Sequence, residues 1–262
     1  LLAAYFRFTG LNWDDQTHLH PDERFLTIVT TSLQTTTDPF LYLRTSESPL
    51  NPYNQGHGFY VYGNFPMTVT RFVGEWVNNA CGLLLGGENA APDDFCSQPA
   101  TGYGRIHLVG RFLSGLVDLI SIAFLFLLGR RLYDWRVAAL GALLLAMAVM
   151  PIQQSHFYTM DNWAAALTTF TLYTAVRAAG FGDEEVGHKT RWWLLFGLGL
   201  GLAVASRINI APLAGMAPVA AGLWLHHRGH LNWNALKSRV GRVDVQLAVI
   251  GVLLAAVVSL LT

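Results

Sequence analysis

Residues 106–128 read IHLVGRFLSGLVDLISIAFLFLL, and this run decides which class of protein the chain can be. A helix needs about 20 mostly apolar residues to cross a bilayer, and the run is that long. It contains two charged residues, Arg111 and Asp118, which lie seven positions apart and therefore on one helical face. Charges inside a membrane are costly and normally face a cavity or a partner. We therefore predict a membrane-spanning helix with one buried, charged face.

Two interpretations of these charges stay open. In the first, Arg111 and Asp118 form a structural pair, directly or through neighbours, and this is favoured for Asp118. In the second, Arg111 contacts an anionic lipid phosphate, because a guanidinium binds phosphate oxygens well.

Further apolar runs extend the pattern to a bundle. Four of them reach or approach the length of a span: 136–153, 159–179, 192–209 and 211–225. Partial runs at 1–9 and 246–262 resemble the end of one span and the start of another. We therefore predict an all-α, polytopic transmembrane helical bundle over 105–262, with about five full spans plus a truncated one. We also expect the chain to be an internal part of a longer protein.

Composition supports the same class. Of the 262 residues, 52% are hydrophobic and 13% are charged, about half the usual charged share of roughly 25% in a soluble domain. This composition excludes a disordered chain. A net charge of zero argues against a nucleic-acid-binding protein. Two cysteines are too few for a small scaffold held together by disulfides.

The distribution of charge predicts the orientation. Three short loops hold ten of the seventeen Lys and Arg residues: 129–136, 177–191 and 226–242. Segment 10–104 holds only three, against ten Asp and Glu. The positive-inside rule places short basic loops in the cytoplasm. We therefore predict an integral protein of the plasma or inner membrane in which 10–104 is an extracytoplasmic loop, with the turns 152–158 and 206–212 on the same side.

Residues 65–87 are apolar enough to suggest another span, which would invert the topology before them. The run contains Pro66, Arg71 and Glu75, and each charge costs about 2.5–3.5 kcal/mol at the middle of a bilayer. Arg71 and Glu75 are an i,i+4 pair on one helical face. We therefore predict a juxtamembrane, interfacial helix here, and a similar one over 21–35.

Cys81 and Cys96 both lie in the predicted extracytoplasmic segment. Disulfides persist outside the cytoplasm, so a bond between these two residues is expected, with two unpaired thiols as the alternative.

The densest polar cluster reads NWDDQTHLHPDER over 12–24. Asp22 and Glu23 follow Pro21 at a predicted helix start, where the helix dipole favours an ionised acid. An ionised Asp at this place suits a general base. The alternative is that the two acids simply cap the helix.

A metal site is a second possibility in the same cluster. His18, His20 and Asp22 alternate along the chain, so an extended segment would present them on one side to a divalent metal ion. No spacing typical of a metal motif accompanies them.

An aromatic loop follows, with the sequence NPYNQGHGFYVYGNFP over 51–66. His57, Tyr60 and Tyr62 are its candidate substrate-binding residues, because stacked aromatic rings suit sugars or lipid headgroups. The alternative is an aromatic belt at the membrane interface.

Two further candidate sites lie at predicted extracytoplasmic helix ends. His156 and Asp161 stand at the start of the third predicted span, and Arg207 stands at the end of the fourth. Arg207 is on the wrong side to be a positive-inside anchor, so it is a candidate for binding a phosphate. The alternative for Arg207 is that its side chain reaches out to the lipid headgroups.

Several of these motifs, in this order, resemble the GT-C glycosyltransferases. The motifs are HPDE at 20–23, LNP at 50–52, YVYGNFP at 60–66, GRRLY at 129–133 and QSHFYTMD at 154–161. They look most similar to the protein O-mannosyltransferase-like and aminoarabinose-transferase-like branch, near the "YYY" membrane proteins. The resemblance covers roughly residues 10–215.

This resemblance implies transfer of a sugar from a polyprenyl-phosphate donor to an unknown acceptor on the extracytoplasmic face, with inversion at the anomeric carbon. The proposed base of such enzymes maps to Asp22, with Glu23 beside it, and the acid on the later helix maps to Asp161. A basic residue that contacts the carrier phosphate maps to Arg111 or Arg207. Asp14 and Asp15 depart from the pattern by adding two acids just upstream, which leaves the identity of the base open.

Two other functions stay open at this stage. The chain could be a non-catalytic scaffold subunit of a larger protein complex that keeps the same fold, although intact acids at 22, 23 and 161 argue against it. It could also transport a lipid-linked substrate, although the nearly uncharged runs 136–153 and 159–179 offer no polar path.

Overall fold

The computed structural model describes residues 1–58, 60, 62–85, 95–181, 190–227 and 239–261. Throughout these residues the regular secondary structure is helical and contains no strand, which confirms the predicted all-α class. The predicted cytoplasmic loops 177–191 and 226–242 lie largely outside the described residues.

The described α-helices, in chain order, are α1 Leu2–Phe8, α2 Pro21–Ser32, α3 Pro39–Leu43, α4 Phe65–Leu85, α5 Tyr103–Leu132, α6 Trp135–Met147, α7 Val149–Ser155, α8 Asp161–Ala178, α9 Thr190–Ser206, α10 Met216–His227 and α11 Arg239–Leu261. Short 3-10 helices are formed by Pro52–Gln55, Phe95–Ser97 and Ile208–Gly215.

Two of the described helical stretches are long and apolar enough to cross a membrane, namely α5 and the run Ile208–His226. The pair α6 and α7 would add a third if it forms one bent span. Stretches Thr190–Ser206 and Val245–Leu261 are apolar but shorter. The fold is thus a membrane helical bundle, and within the described part of the chain two or three helices reach full spanning length, where five were predicted.

The predicted span 136–153 is broken at Ala148, where the axes of α6 and α7 differ by 55°. Pro151 explains the position of the break. It has no N–H to donate to the carbonyl four residues earlier, at Met147, so a continuous helix would lose that hydrogen bond.

The described chain divides into two compact units. The first comprises Leu1–Asp118 and Ala148–Trp163, and the second comprises Leu119–Met147 and Ala164–Thr262. The predicted segments 1–9, 10–104 and 105–262 follow membrane topology instead and stay a prediction.

In the first unit, the apolar faces of α2 and α4 share one core. Its fully buried members include Leu26, Val29 and Met67. The i,i+4 pair predicted within α4 is present, since the Arg71 guanidinium donates to the Glu75 carboxylate at 2.7 Å. Helix α4 is not among the described helices that could cross a membrane.

The predicted disulfide is confirmed. Cys81, near the end of α4, is bonded to Cys96 in the following 3-10 helix. The bond closes the segment that contains residues 86–94, which lie outside the described residues.

In the second unit, α9 and α11 approach each other closely because the residues at the contact are glycines, which have no side chain. A Cβ atom added at Gly197 would lie 2.3 Å from the carbonyl oxygen of Gly251. Trp193, Phe196 and Leu200 of α9 fill the core beside this contact. Small residues that let helix backbones approach are typical of packing between membrane helices.

We predict that Gly197→Ala lowers the thermal stability of the protein, because the new methyl group must push α11 away. Gly141→Ala in α6 is the matched control, since an added Cβ there meets nothing within 4 Å. Thermal unfolding in detergent, followed by circular dichroism, should show a lower Tm for Gly197→Ala only. Equal Tm values for the two variants would contradict the close helix contact.

Candidate active site

The start of α2 places two adjacent acids in opposite environments. His20 is the N-cap residue, and its ring nitrogen accepts a hydrogen bond from the Glu23 backbone N–H at 3.4 Å. Pro21 occupies the first helical position, which confirms the predicted helix start. In the first turn, Asp22 is exposed to solvent, whereas Glu23 is fully buried.

Arg111 of α5 holds Glu23 in place. Its Nε and Nη2 atoms donate to the two Glu23 carboxylate oxygens at 2.8 and 2.6 Å. Its Nη1 and Nη2 atoms also donate to the two carboxylate oxygens of Asp14, both at 2.9 Å. All three side chains are completely buried. We refer to Arg111, Asp14 and Glu23 as the Arg111 cluster.

The Arg111 cluster leaves the guanidinium no free donor. Besides the four bonds to carboxylates, Nη1 donates to the Leu11 carbonyl oxygen at 2.7 Å. A guanidinium has five N–H donors, and here each has an acceptor. Arg111 is therefore occupied in joining chain segments and has no N–H donor left for a substrate phosphate.

The same cluster fixes the turn that precedes α8. The Tyr158 backbone N–H donates to a Glu23 carboxylate oxygen at 2.7 Å. The Tyr158 side chain is fully buried, and its hydroxyl lies 2.8 Å from that of Thr30 in α2. Its ring lies directly on α5 at Gly110, where an added Cβ would come within 2.3 Å of the ring. Helices α2 and α5 and the turn are thus joined at one point.

Burial and pairing compete at Asp14. Burial alone would raise the pKa of this carboxyl group, but the hydrogen bonds and charge of Arg111 outweigh it and lower the pKa to about 2. Asp14 therefore stays ionised at physiological pH and is committed to its ion pair.

Asp118 has a different partner from the one predicted. Its carboxylate accepts a hydrogen bond from Nε of Arg7 in α1 at 2.5 Å, and both side chains are buried. A direct pair of Arg111 with Asp118 is therefore wrong. Instead, Asp118 forms a structural ion pair with Arg7, and Arg111 forms one with Asp14 and Glu23. All of these partners lie within the first 23 residues of the chain.

The structure brings two of the predicted site segments together within the first unit. Nε1 of Trp13 donates to the His156 carbonyl oxygen at 3.1 Å, and the His20 ring packs on Phe157 at 4.5 Å. The two ring nitrogens of His156 lie 2.8 and 2.9 Å from the carbonyl oxygens of Ile152 and Thr9. His156 therefore fastens the turn to the first loop. Asp161, half-buried, begins α8 just after this turn.

The aromatic loop is partly used for packing. The hydroxyl of Tyr60 donates to the Gly63 carbonyl oxygen at 2.7 Å, and burial raises its pKa, so the group stays a donor. Tyr62 lies 5.9 Å from the Phe25 ring of α2, and the His57 ring lies 2.8 Å from the Ser32 hydroxyl. Residues 59 and 61 of this loop lie outside the described residues.

The predicted metal site does not form. Across the described residues, no three His, Cys, Asp or Glu side chains are grouped so that they could hold a metal ion. His18 is buried against the rings of Tyr103 and His107, at 4.4 and 4.3 Å, and burial lowers its pKa. His20 caps α2, and Asp22 faces solvent. The three residues therefore have separate environments.

Arg207 lies in the second unit, at the N-cap of the 3-10 helix Ile208–Gly215.

The sequence alone does not indicate the roles of Asp14 and Tyr158 in this site. Asp14 pairs with Arg111, 97 positions away, and the Tyr158 N–H donates to Glu23, 135 positions away, so no local signal could show either role.

We predict that Glu23→Gln destabilises the protein by about 3–5 kcal/mol, because it leaves part of a buried charge cluster unpaired. Glu47→Gln is the matched control, since Glu47 pairs with Arg44 at 3.3 Å with both side chains exposed. That change should cost under about 1 kcal/mol. The comparison is made by thermal unfolding in detergent. A Glu23→Gln variant as stable as Glu47→Gln would show that the Arg111 cluster does not hold the unit together.

Comparison with known proteins gives one match. The profile of the dolichyl-phosphate-mannose-protein mannosyltransferase family matches residues 104–261, which is more than half of the chain. The match begins in α5, includes Arg111, and leaves Asp14, Asp22 and Glu23 before it. No curated protein and no solved structure matches the chain. The match supports the resemblance to GT-C glycosyltransferases that the sequence motifs indicate. The chain therefore belongs to the dolichyl-phosphate-mannose-protein mannosyltransferase family, whose members are membrane glycosyltransferases of the GT-C type.

Proposed function

We propose that this protein transfers a sugar from a polyprenyl-phosphate donor to an acceptor hydroxyl on the extracytoplasmic face of the membrane, with Asp22 as general base. One observation carries the choice of base. Asp22 is exposed, while the next residue, Glu23, is buried and clamped by Arg111. The helical turn that presents Asp22 is thereby fixed, but its carboxylate stays accessible.

The other acids nearby are less suited to the same role. Glu23 and Asp14 are completely buried and already accept hydrogen bonds from Arg111. A base must come within hydrogen-bonding distance of the proton it removes, which these two groups cannot do without breaking the cluster. Asp15 is exposed but stands outside α2, at a positive φ of 47°. Asp22 is thus accessible to an acceptor and is also held in a fixed position by the first turn of α2.

The proposed reaction is a single displacement at the anomeric carbon. Asp22 takes the proton of the acceptor hydroxyl while the hydroxyl oxygen attacks that carbon. The bond from the carbon to the phosphate oxygen breaks, and its electron pair leaves with the polyprenyl phosphate. Attack on the face opposite the leaving group inverts the configuration.

The remaining assignments come partly from the family resemblance and partly from the polar cluster and the aromatic loop of the sequence. Arg207 is proposed to bind the carrier phosphate, because Arg111 has no donor left for it. A guanidinium bound to the carrier phosphate would stabilise the charge that develops on it as it leaves. Asp161 is proposed as the second acid of the site, and His20, His57, Tyr60, Tyr62 and His156 as residues near the sugar. Membrane lipids surround the bundle, and the acceptor is proposed only as a hydroxyl compound.

We predict that Asp22→Asn reduces sugar transfer by about 10²–10⁴-fold, since general base catalysis contributes that much. Its Tm should stay close to that of the unchanged protein, because Asp22 is exposed and outside the Arg111 cluster. Transfer from a radiolabelled polyprenyl-phosphate mannose in detergent or liposomes measures the effect.

Asp15→Asn is the matched control, as it removes the same charge from a nearby exposed acid. It should keep most of the activity. Full activity in Asp22→Asn, or equal losses in both variants, would contradict the assignment of Asp22 as the base.

A further inference from the structure

An exposed tryptophan lies in the same unit as the proposed base and is connected to it by ring contacts. Trp13, in the loop between α1 and α2, is 44% exposed. The centre of its ring lies 5.6 Å from that of Phe157, and the Phe157 ring lies 4.5 Å from the His20 ring. His20 is the N-cap of α2, two residues before Asp22. We refer to Trp13, Phe157 and His20 as the aromatic row.

The indole of Trp13 is held from three sides. Its Nε1 donates to the His156 carbonyl oxygen at 3.1 Å. The Trp13 and Phe157 rings meet at 84°, and the guanidinium carbon of Arg111 lies 5.5 Å from the centre of the Trp13 ring. The ring is therefore fixed before a ligand arrives, so a ligand that packs on it would lose little affinity to the ordering of this side chain.

Packing alone does not explain the position of Trp13. A tryptophan that served only the core would be buried, because a large aromatic side chain is stabilised by removal of its surface from water. Trp13 instead leaves nearly half of its surface open, and Phe157 and His20 are only half-buried. Rigid, exposed aromatic side chains are typical of binding surfaces, since they offer a large contact area with few rotatable bonds.

An anchor in the bilayer is the other common role of an exposed tryptophan. Such a residue keeps its ring among the lipids and its N–H group in water or among the headgroups. The Trp13 N–H is instead bonded within the protein, to the His156 carbonyl oxygen. The neighbouring residues Asn12 and Asp15 are polar and exposed. These features favour a ligand from the aqueous side over an anchor in the lipid.

We propose that the sugar of the donor stacks on Trp13, an inference that rests on the proposed transfer reaction. One face of a sugar ring carries C–H groups, and their weakly positive hydrogens are attracted by the negative face of an indole ring. The aromatic row ends at the helical turn that presents Asp22. A sugar on Trp13 would thus lie on the side of the unit where the proposed base meets the acceptor.

Equilibrium binding to the purified full chain in detergent tests this proposal. The two probes are radiolabelled polyprenyl-phosphate mannose and radiolabelled polyprenyl phosphate, measured without an acceptor. We expect the unchanged protein to bind the mannose-bearing lipid at least about threefold more tightly, which is the contribution typical of a stacked ring. Equal binding of the two lipids would overturn the proposal.

Two substitutions separate the aromatic ring from the N–H group. Trp13→Phe and Trp13→Leu both lose the hydrogen bond to His156, but only the Phe variant keeps a ring. We expect Trp13→Phe to retain most of the preference for the mannose-bearing lipid. Trp13→Leu should lose the preference and still bind polyprenyl phosphate as the unchanged protein does. The Tm values of the two variants, which should be similar, check the folding.

Trp76→Leu is the matched control, since Trp76 of α4 is 69% exposed and stands outside the aromatic row. It should keep the preference. An equal preference in Trp13→Leu and Trp13→Phe would overturn the proposal. Weaker binding of both lipids by Trp13→Leu would identify a structural or membrane-anchoring role, and would overturn it too.

Failure of this inference and failure of the proposed function give different results. An unchanged preference in Trp13→Leu, together with lost transfer in Asp22→Asn, would refute the stacking and leave the base assigned. A lost preference in Trp13→Leu, together with full transfer in Asp22→Asn, would refute the base and support the sugar contact at Trp13.

Discussion

The first unit of this protein depends on one buried guanidinium shared by two carboxylates. Taking such charges out of water costs several kcal/mol per ion, and the cost is recovered only when every donor has an acceptor. Arg111 meets this condition with five donors and five acceptors, supplied by Asp14, Glu23 and the Leu11 carbonyl. Glu23 also accepts a hydrogen bond from the Tyr158 backbone N–H. Separating the start of α2 from helix α5 or from the turn before α8 would therefore leave a buried charge without a partner.

Because of this constraint, two adjacent acids have different roles: Glu23 is structural, and Asp22 is the proposed base. Glu23 is buried and holds the segments together, so Asp22 is presented to solvent on a turn that cannot shift. The family match starts in α5 and includes Arg111, whereas both carboxylate partners precede it. The Arg111 cluster therefore connects the part of the chain that identifies the family to the loop that carries the proposed base.

Local features of this fold could be predicted from sequence. The start of α2 at Pro21 follows from local rules, and so does the Arg71–Glu75 pair, because each depends on residues within one turn. The partners of Arg111 could not be predicted, since they lie 88 and 97 positions away and any of several acids could have filled the role. Nor could the sequence decide which of Asp22 and Glu23 is buried. Adjacent helical positions point in different directions, and only the position of α5 determines which one meets Arg111.

A double-mutant cycle between Arg111 and Glu23 tests the central claim most directly. The free energies of unfolding of Arg111→Gln, Glu23→Gln and the double variant are compared with that of the unchanged protein in the same detergent. Residues of one buried network should give strongly non-additive losses, with a coupling energy above about 1 kcal/mol. Losses that simply add would show that the two side chains act independently, and would contradict the account of the fold and of the site built upon it.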